Sequence, residues 1–346
     1  MLQERIEAKW IRMFMDVLAL NGVGAGTRVG ILSETQSRPV TVELARLAAG
    51  LMDAEVAEIR IPTPALPTAI PMRSTGASEI LDQAGAAIAA MRQCEFILDL
   101  SVEGLMHAPQ LPQILESGAR VLYVSNEHPE VLERLKPAAE DEAPVRAAMR
   151  ALKDASEMTV RSAAGTDLRI DLRGAGIGGV WGFTRKPGTM SHWPGGLVLA
   201  FPAAGAVNGR LVLAPGDVNL TFKRYVQAPV ALTIAGDYIT GIEGDGVDAN
   251  LMRNYLAAWG EREAYAVSHV GWGLARAARW EALEFYDRKD TNGTELRAIA
   301  GNFLYSTGAN ERAQRYTRGH FDLPMQGCTI ELDGRAVVKE GELVSG

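Results

Sequence analysis

The chain has 346 residues, 47% hydrophobic and 22% charged, a balance that fits a globular fold with room for two domains. The 35 basic and 42 acidic residues leave a net charge of −7, and no Lys/Arg cluster stands out, which argues against a nucleic-acid partner. No apolar run is long enough to span a bilayer, so no membrane partner is expected.

The start, Met1-Leu2-Gln3-Glu4-Arg5-Ile6, is charged and amphipathic, unlike a signal peptide. Ile6, Trp10, Met13, Phe14, Val17 and Leu18 fall at helical spacing and predict a helix over 2–20. Gly22, Gly24 and Gly26 precede the next strand, the wrong order for a phosphate loop. Arg28–Glu34 reads as a strand and 39–52 as a helix, with Leu44, Leu47, Ala48 and Leu51 on one face. A strand at 56–62 follows, then a helix at 78–92 with Ile80, Leu81, Ala84, Ile88 and Met91 inward. The apolar runs 94–101 and 120–126 have the texture of buried parallel strands. This βαβ rhythm predicts a layered α/β domain over 1–150. A boundary falls near the charged stretch 137–143, with a short bridging helix at 145–153.

The second domain, 151–346, reads as α+β with a strongly curved, mostly antiparallel sheet. A hairpin is predicted at 158–161 and 167–172. Gly174-Ala175-Gly176-Ile177-Gly178-Gly179 satisfies GxGxxG after a strand. However, Val180-Trp181-Gly182-Phe183 and Pro187 do not start the helix that a pyrophosphate needs. The stretch therefore reads as turns where backbone approaches backbone. Short strands at 197–201, 210–214, 219–222, 230–234 and 238–243 are broken by Gly and Pro. One helix interrupts them, with Asp248 as N-cap and Leu251, Met252, Tyr255, Leu256 and Trp259 at helical spacing. Cys94 and Cys328 lie in different halves and read as buried thiols in a reducing compartment, so the expected location is cytoplasmic.

The chemistry concentrates in five histidines: His107, His128, His192, His269 and His320. In Arg318-Gly319-His320-Phe321-Asp322-Leu323-Pro324, an imidazole and a carboxylate stand two residues apart. On an extended strand they face the same side. His269, in Ser268-His269-Val270-Gly271-Trp272-Gly273, is the natural third ligand. Two imidazoles and a carboxylate on one face of an ion is the arrangement of non-haem Fe(II) oxygenases. His192, before Trp193-Pro194-Gly195-Gly196, and His107, in a loop after a strand, fit either second-layer acid–base groups or exposed loop residues. His128, beside Pro129 at a helix start, reads as structural.

These residues resemble a family. Pro194-Gly195-Gly196, Val270-Gly271-Trp272-Gly273, Tyr305-Ser306-Thr307-Gly308 and His320-x-Asp322 are similar to landmarks of the aminopeptidase T metallopeptidases. The departures matter. Where those peptidases carry a Glu after Pro-Gly-Gly, this chain has Leu197; His269 replaces a carboxylate; Phe303 and Leu304 stand where a His is expected. A two-metal hydrolase needs anionic ligands for two dications. What is left resembles the 2,5-dihydroxypyridine 5,6-dioxygenase family on the same scaffold. That resemblance implies one Fe(II) on His269, His320 and Asp322. It implies an N-heteroaromatic substrate cleaved with O₂, His107 and His192 as acid–base groups, and Ser306 bonding the ring nitrogen or its carbonyl tautomer. Arg297 has two readings, substrate orientation or surface charge. A homo-oligomer is the expected state. A metallo-aminopeptidase with altered ligands, a nicotinamide-dependent enzyme and a silent binding protein are the alternatives.

Overall fold

The computed structural model describes residues 5–65 and 78–344. Its first sheet has five parallel strands in the order Glu55–Ile61, Arg28–Glu34, Phe96–Asp99, Arg120–Val124, Met190–Trp193. The last strand comes from the second half of the sequence and carries His192. Alternate residues of the central strands enter two apolar clusters. Phe96 and Leu98 pack with Trp10, Phe14 and Leu44 from helices Ala8–Leu20 and Pro39–Leu51. Ile97 and Val121 pack with Met91, Leu111 and Ile114. Burial on both faces explains why these strands are continuous apolar runs rather than alternating ones. The helix expected over 78–92 begins only at Gly85. Ile80 and Leu81, before it, are buried in turns instead. The helix expected over 2–20 is seen from Ala8; residues 2–4 lie outside the described residues.

The strands of the second half do not form one strongly curved sheet. They divide between an eight-stranded and a five-stranded antiparallel sheet, with a separate two-stranded ribbon. The large sheets share a core in which Met158, Val160 and Leu232 meet Val198, Trp272 and Tyr305. The glycine run forms the edge strand Gly176–Val180, not turns. Its lack of side chains still serves close approach. A Cβ on Gly179 would stand 2.6 Å from the sulfur of Met149 and 2.7 Å from Val145, both on helix Glu142–Asp154. Asp248 is not an N-cap. Helix Val247–Trp259 starts from Gly246, at φ 98°, and the Asp248 carboxylate instead accepts from the amides of Gln227 and Ala228. Both cysteines are buried and unbridged. Among the described residues no helix is long and apolar enough to cross a membrane.

Candidate active site

The five-stranded antiparallel sheet lines up three side chains in adjacent strands. His269 on Val267–Gly273 pairs with Ser306 on Phe303–Thr307, and Ser306 pairs with Asp322 on Asp322–Met325. Residues in direct register on neighbouring strands share a face. The Ser306 hydroxyl donates to Oδ1 of Asp322, and Nε2 of His269 lies 3.8 Å from the same oxygen. His320 precedes the strand, so strand spacing alone does not place it. Its main chain is pinned instead: its N–H donates to the Tyr255 hydroxyl at 3.0 Å, and its carbonyl accepts from Tyr255 and Thr221. The ring is thereby held with Nε2 3.1 Å from Oδ2 of Asp322.

Ser268 decides the tautomer of His269. Its hydroxyl donates to the carbonyl of Ala309 at 2.5 Å. The hydroxyl oxygen, 3.0 Å from Nδ1 of His269, is then left to accept, so Nδ1 carries the proton. The Nε2 lone pair faces Asp322. Burial pushes the His269 imidazole down to about 3, against the pull of Asp322. It is therefore neutral, the form that binds metals. Burial would raise the Asp322 carboxyl, but the Arg297 guanidinium and His320 hold it well below the usual range. Arg297 is no surface charge. Its Nε donates to Oδ2 of Asp322, and its Nη1 lies 3.1 Å from Oδ1 of Asn292.

The first sheet supplies the opposite wall. Loops at the carboxyl ends of parallel strands are the usual ligand sites of open α/β sheets, and His107, Tyr123 and His192 stand at that edge. His107, His192, His269, His320, Asp322 and Arg297 line one cavity. The His107 ring lies 6.3 Å from both the His269 and the His320 rings. Burial drives His107 down to about 4 and His192 down to about 3, so both are neutral near pH 7. Nε2 of His192 is buried without a hydrogen-bond partner. Buried polar atoms are nearly always paired, so such an atom in a cavity wall marks a place for a ligand group.

Four of the five histidines therefore converge. His128 does not: its ring accepts from the Glu130 amide and stacks on Tyr286. Ser306 is completely buried and serves Asp322 rather than lining the cavity. Tyr123, Asn292 and Thr294 line the cavity as well, and no local spacing pointed to them. The donor types suit a divalent ion: two imidazoles, one with a fixed free Nε2, and a carboxylate. Among the described residues no group of three or more His, Cys, Asp or Glu side chains is so placed that it could hold a metal ion. In this arrangement Asp322 is neutralised by Arg297.

A family model described as 2,5-dihydroxypyridine 5,6-dioxygenase matches residues 9–345. The chain belongs to that family. A family member of that name from Pseudomonas putida (strain KT2440) is 36% identical over 342 residues, covering 98% of this chain and 97% of the relative. The solved structure of 2,5-dihydroxypyridine dioxygenase from Pseudomonas putida KT2440 matches with a TM-score of 0.93 at 36% identity, over 99% of each chain. Wild-type AmpT from Thermus thermophilus matches with a TM-score of 0.64 and 16% identity, over 97% of this chain and 99% of that one. At that identity the likeness is one of fold. Kinship with the dioxygenase family, on the aminopeptidase T scaffold, is what the sequence landmarks had implied.

Proposed function

We propose that this chain opens the ring of 2,5-dihydroxypyridine between C5 and C6, using O₂. Both oxygen atoms enter the product, N-formylmaleamate: C5, with its hydroxyl oxygen, becomes the carboxyl carbon and C6 the formyl carbon. Full-length membership of the dioxygenase family is the observation that carries this reading.

His269, His320 and Asp322 would hold a single Fe(II). When bound, the ion supplies a Lewis-acid and redox centre for the substrate hydroxyl and O₂. The chain's own residues then have distinct tasks. Ser268 fixes the His269 ring, and Ser306 and Arg297 fix the Asp322 carboxylate. His107 and His192, uncharged in their buried setting, accept the hydroxyl proton and return one to the developing product. The unpaired Nε2 of His192, a residue that lines the cavity, supports that role. Asn292, Thr294 and Arg297 offer polar atoms to the ring heteroatom and its oxygen. The working form is proposed to be a cytoplasmic homo-oligomer.

The test is oxygen uptake by Fe(II)-loaded protein with 2,5-dihydroxypyridine, with product identified by mass spectrometry. One O₂ consumed per ring opened supports the reading. Absence of uptake, together with peptide hydrolysis when Zn or Co is added, would replace it with the peptidase.

A further inference from the structure

The segment that carries Arg297 is held from outside its own sheet. Glu127 follows strand Arg120–Val124 of the parallel sheet and is buried. Its Oε2 accepts from the Asn292 amide at 2.9 Å, and its Oε1 from the Gly293 and Thr294 amides at 2.7 and 2.8 Å. Three main-chain donors on one carboxylate fix a turn more firmly than any single bond, because each is charge-assisted. Ser125 adds a hydroxyl contact to Thr294 at 2.7 Å. Asp290 is tied at the same edge, its carbonyl accepting from the His128 amide at 3.0 Å. Gly293, at φ 99°, has no room for a Cβ, which would stand 2.6 Å from Leu220. The turn is therefore closed on both sides.

That turn leads into helix Thr294–Ala298, and Asn292, Thr294, Arg297 and Ala298 all line the cavity. The link continues from Asn292 and Thr294 to Nη1 of Arg297, and from Nε of Arg297 to Asp322. We propose that Glu127 is a positioning residue: it holds Asn292–Ala298 so that Arg297 stays on Asp322 and faces the substrate. Its role in turnover rests on the function proposed above. Its grip on the turn does not.

Two readouts separate these. Hydrogen exchange by mass spectrometry should show faster exchange at 291–298 in Glu127→Gln, with the central strands unchanged, because an amide group cannot accept three N–H bonds as a carboxylate does. This measurement needs no activity. In oxygen uptake, Glu127→Gln should lower kcat/KM by about 10- to 100-fold, the scale of small misplacements in active sites. In an Arg297→Lys background the same substitution should cost less than about 3-fold, because contacting residues in one network do not act independently. Unchanged exchange at 291–298, or equal losses in both backgrounds, overturns the proposal. If Glu127→Gln does not fold, Glu127→Asp takes its place in both experiments: it keeps the carboxylate but shortens its reach by one methylene, so the three amide bonds cannot all be made. A wild-type protein without oxygen uptake would refute the proposed function, while the exchange result would still decide the grip.

Discussion

Ser268→Ala probes the site one layer behind the proposed ion. Ser268 is completely buried and makes two bonds, to the Ala309 carbonyl and to Nδ1 of His269. The substitution leaves a buried carbonyl and a buried N–H unpaired, each worth about 1–3 kcal/mol. It also frees the ring to hold its proton on Nε2, where a metal ligand needs a lone pair. Replacing such outer partners of metal-binding histidines typically lowers metal affinity or activity about 10- to 100-fold, which is about 1.4–2.8 kcal/mol. The assay is anaerobic Fe(II) titration of the metal-free variant, with thermal melting in parallel. Val270→Ala is the control. It truncates the buried residue next to His269, on the strand face opposite that ring, so it should lower stability while leaving Fe(II) affinity close to wild type. Equal Fe(II) affinity in Ser268→Ala and wild type would refute the tautomer argument. Equal losses in both variants would show that general destabilisation explains the effect.

Asp322→Ala should abolish metal binding and activity together, since it removes the only carboxylate of the proposed ligand set. Elemental analysis should give one ion per chain, and two would return the site to the peptidase reading. His107→Ala and His192→Ala should keep the metal but lower turnover about 10²- to 10⁴-fold, the usual worth of general acid–base groups; full activity in both, or metal loss in either, would contradict their roles. Hydroquinone and catechol, which lack the ring nitrogen, should have far lower kcat/KM than 2,5-dihydroxypyridine, because polar wall groups would be left unpaired. Comparable values for catechol would instead indicate a general ring-cleaving dioxygenase. Burial pushes the Cys328 thiol up to about 12, so a thiol reagent should reach it only after denaturation, and reaction in the native state would contradict its burial.

The parts of the site that were legible in sequence are those encoded locally. His320 and Asp322 stand two residues apart, and their nitrogen and oxygen indeed approach to 3.1 Å. Other groups depend on long-range pairing. Glu127 meets the turn it holds 165 to 167 positions later. The Arg297 side chain finds its carboxylate 25 positions on, so the alternatives of surface and site were equal until the sheet register was known. Ser306 shows the opposite failure. Its place beside the landmark residues was clear, but its direction was not. Cross-strand register sets it on the face of His269 and Asp322, but its hydroxyl is spent on Asp322 and does not reach the cavity wall. The parallel sheet was readable because burial on both faces makes its strands continuous apolar runs. The assembly of the antiparallel strands was not, because Gly and Pro breaks mark where strands end without saying which strands then pair.

Charge separates this site from a two-metal hydrolase on a similar fold. Asp322 and Arg297 cancel, and His107, His192 and His269 are held neutral by burial. Apart from Glu103 and His320, which also line it, the cavity wall thus carries little net charge. Two dications about 4 Å apart would repel by roughly 16 kcal/mol at an effective dielectric of 20, and the one carboxylate of the proposed ligand set, already paired with an arginine, cannot offset that. One dication would meet no such penalty, and its positive charge would favour an anionic oxygen among its partners. A ring hydroxyl that gave its proton to a neutral imidazole would supply one. The replacement of carboxylates by His269 and Leu197, taken alone, reads as a loss of ligands. Beside Arg297 and the neutral histidines it fits the proposed single-ion site, whose ion an ionised substrate would help to balance.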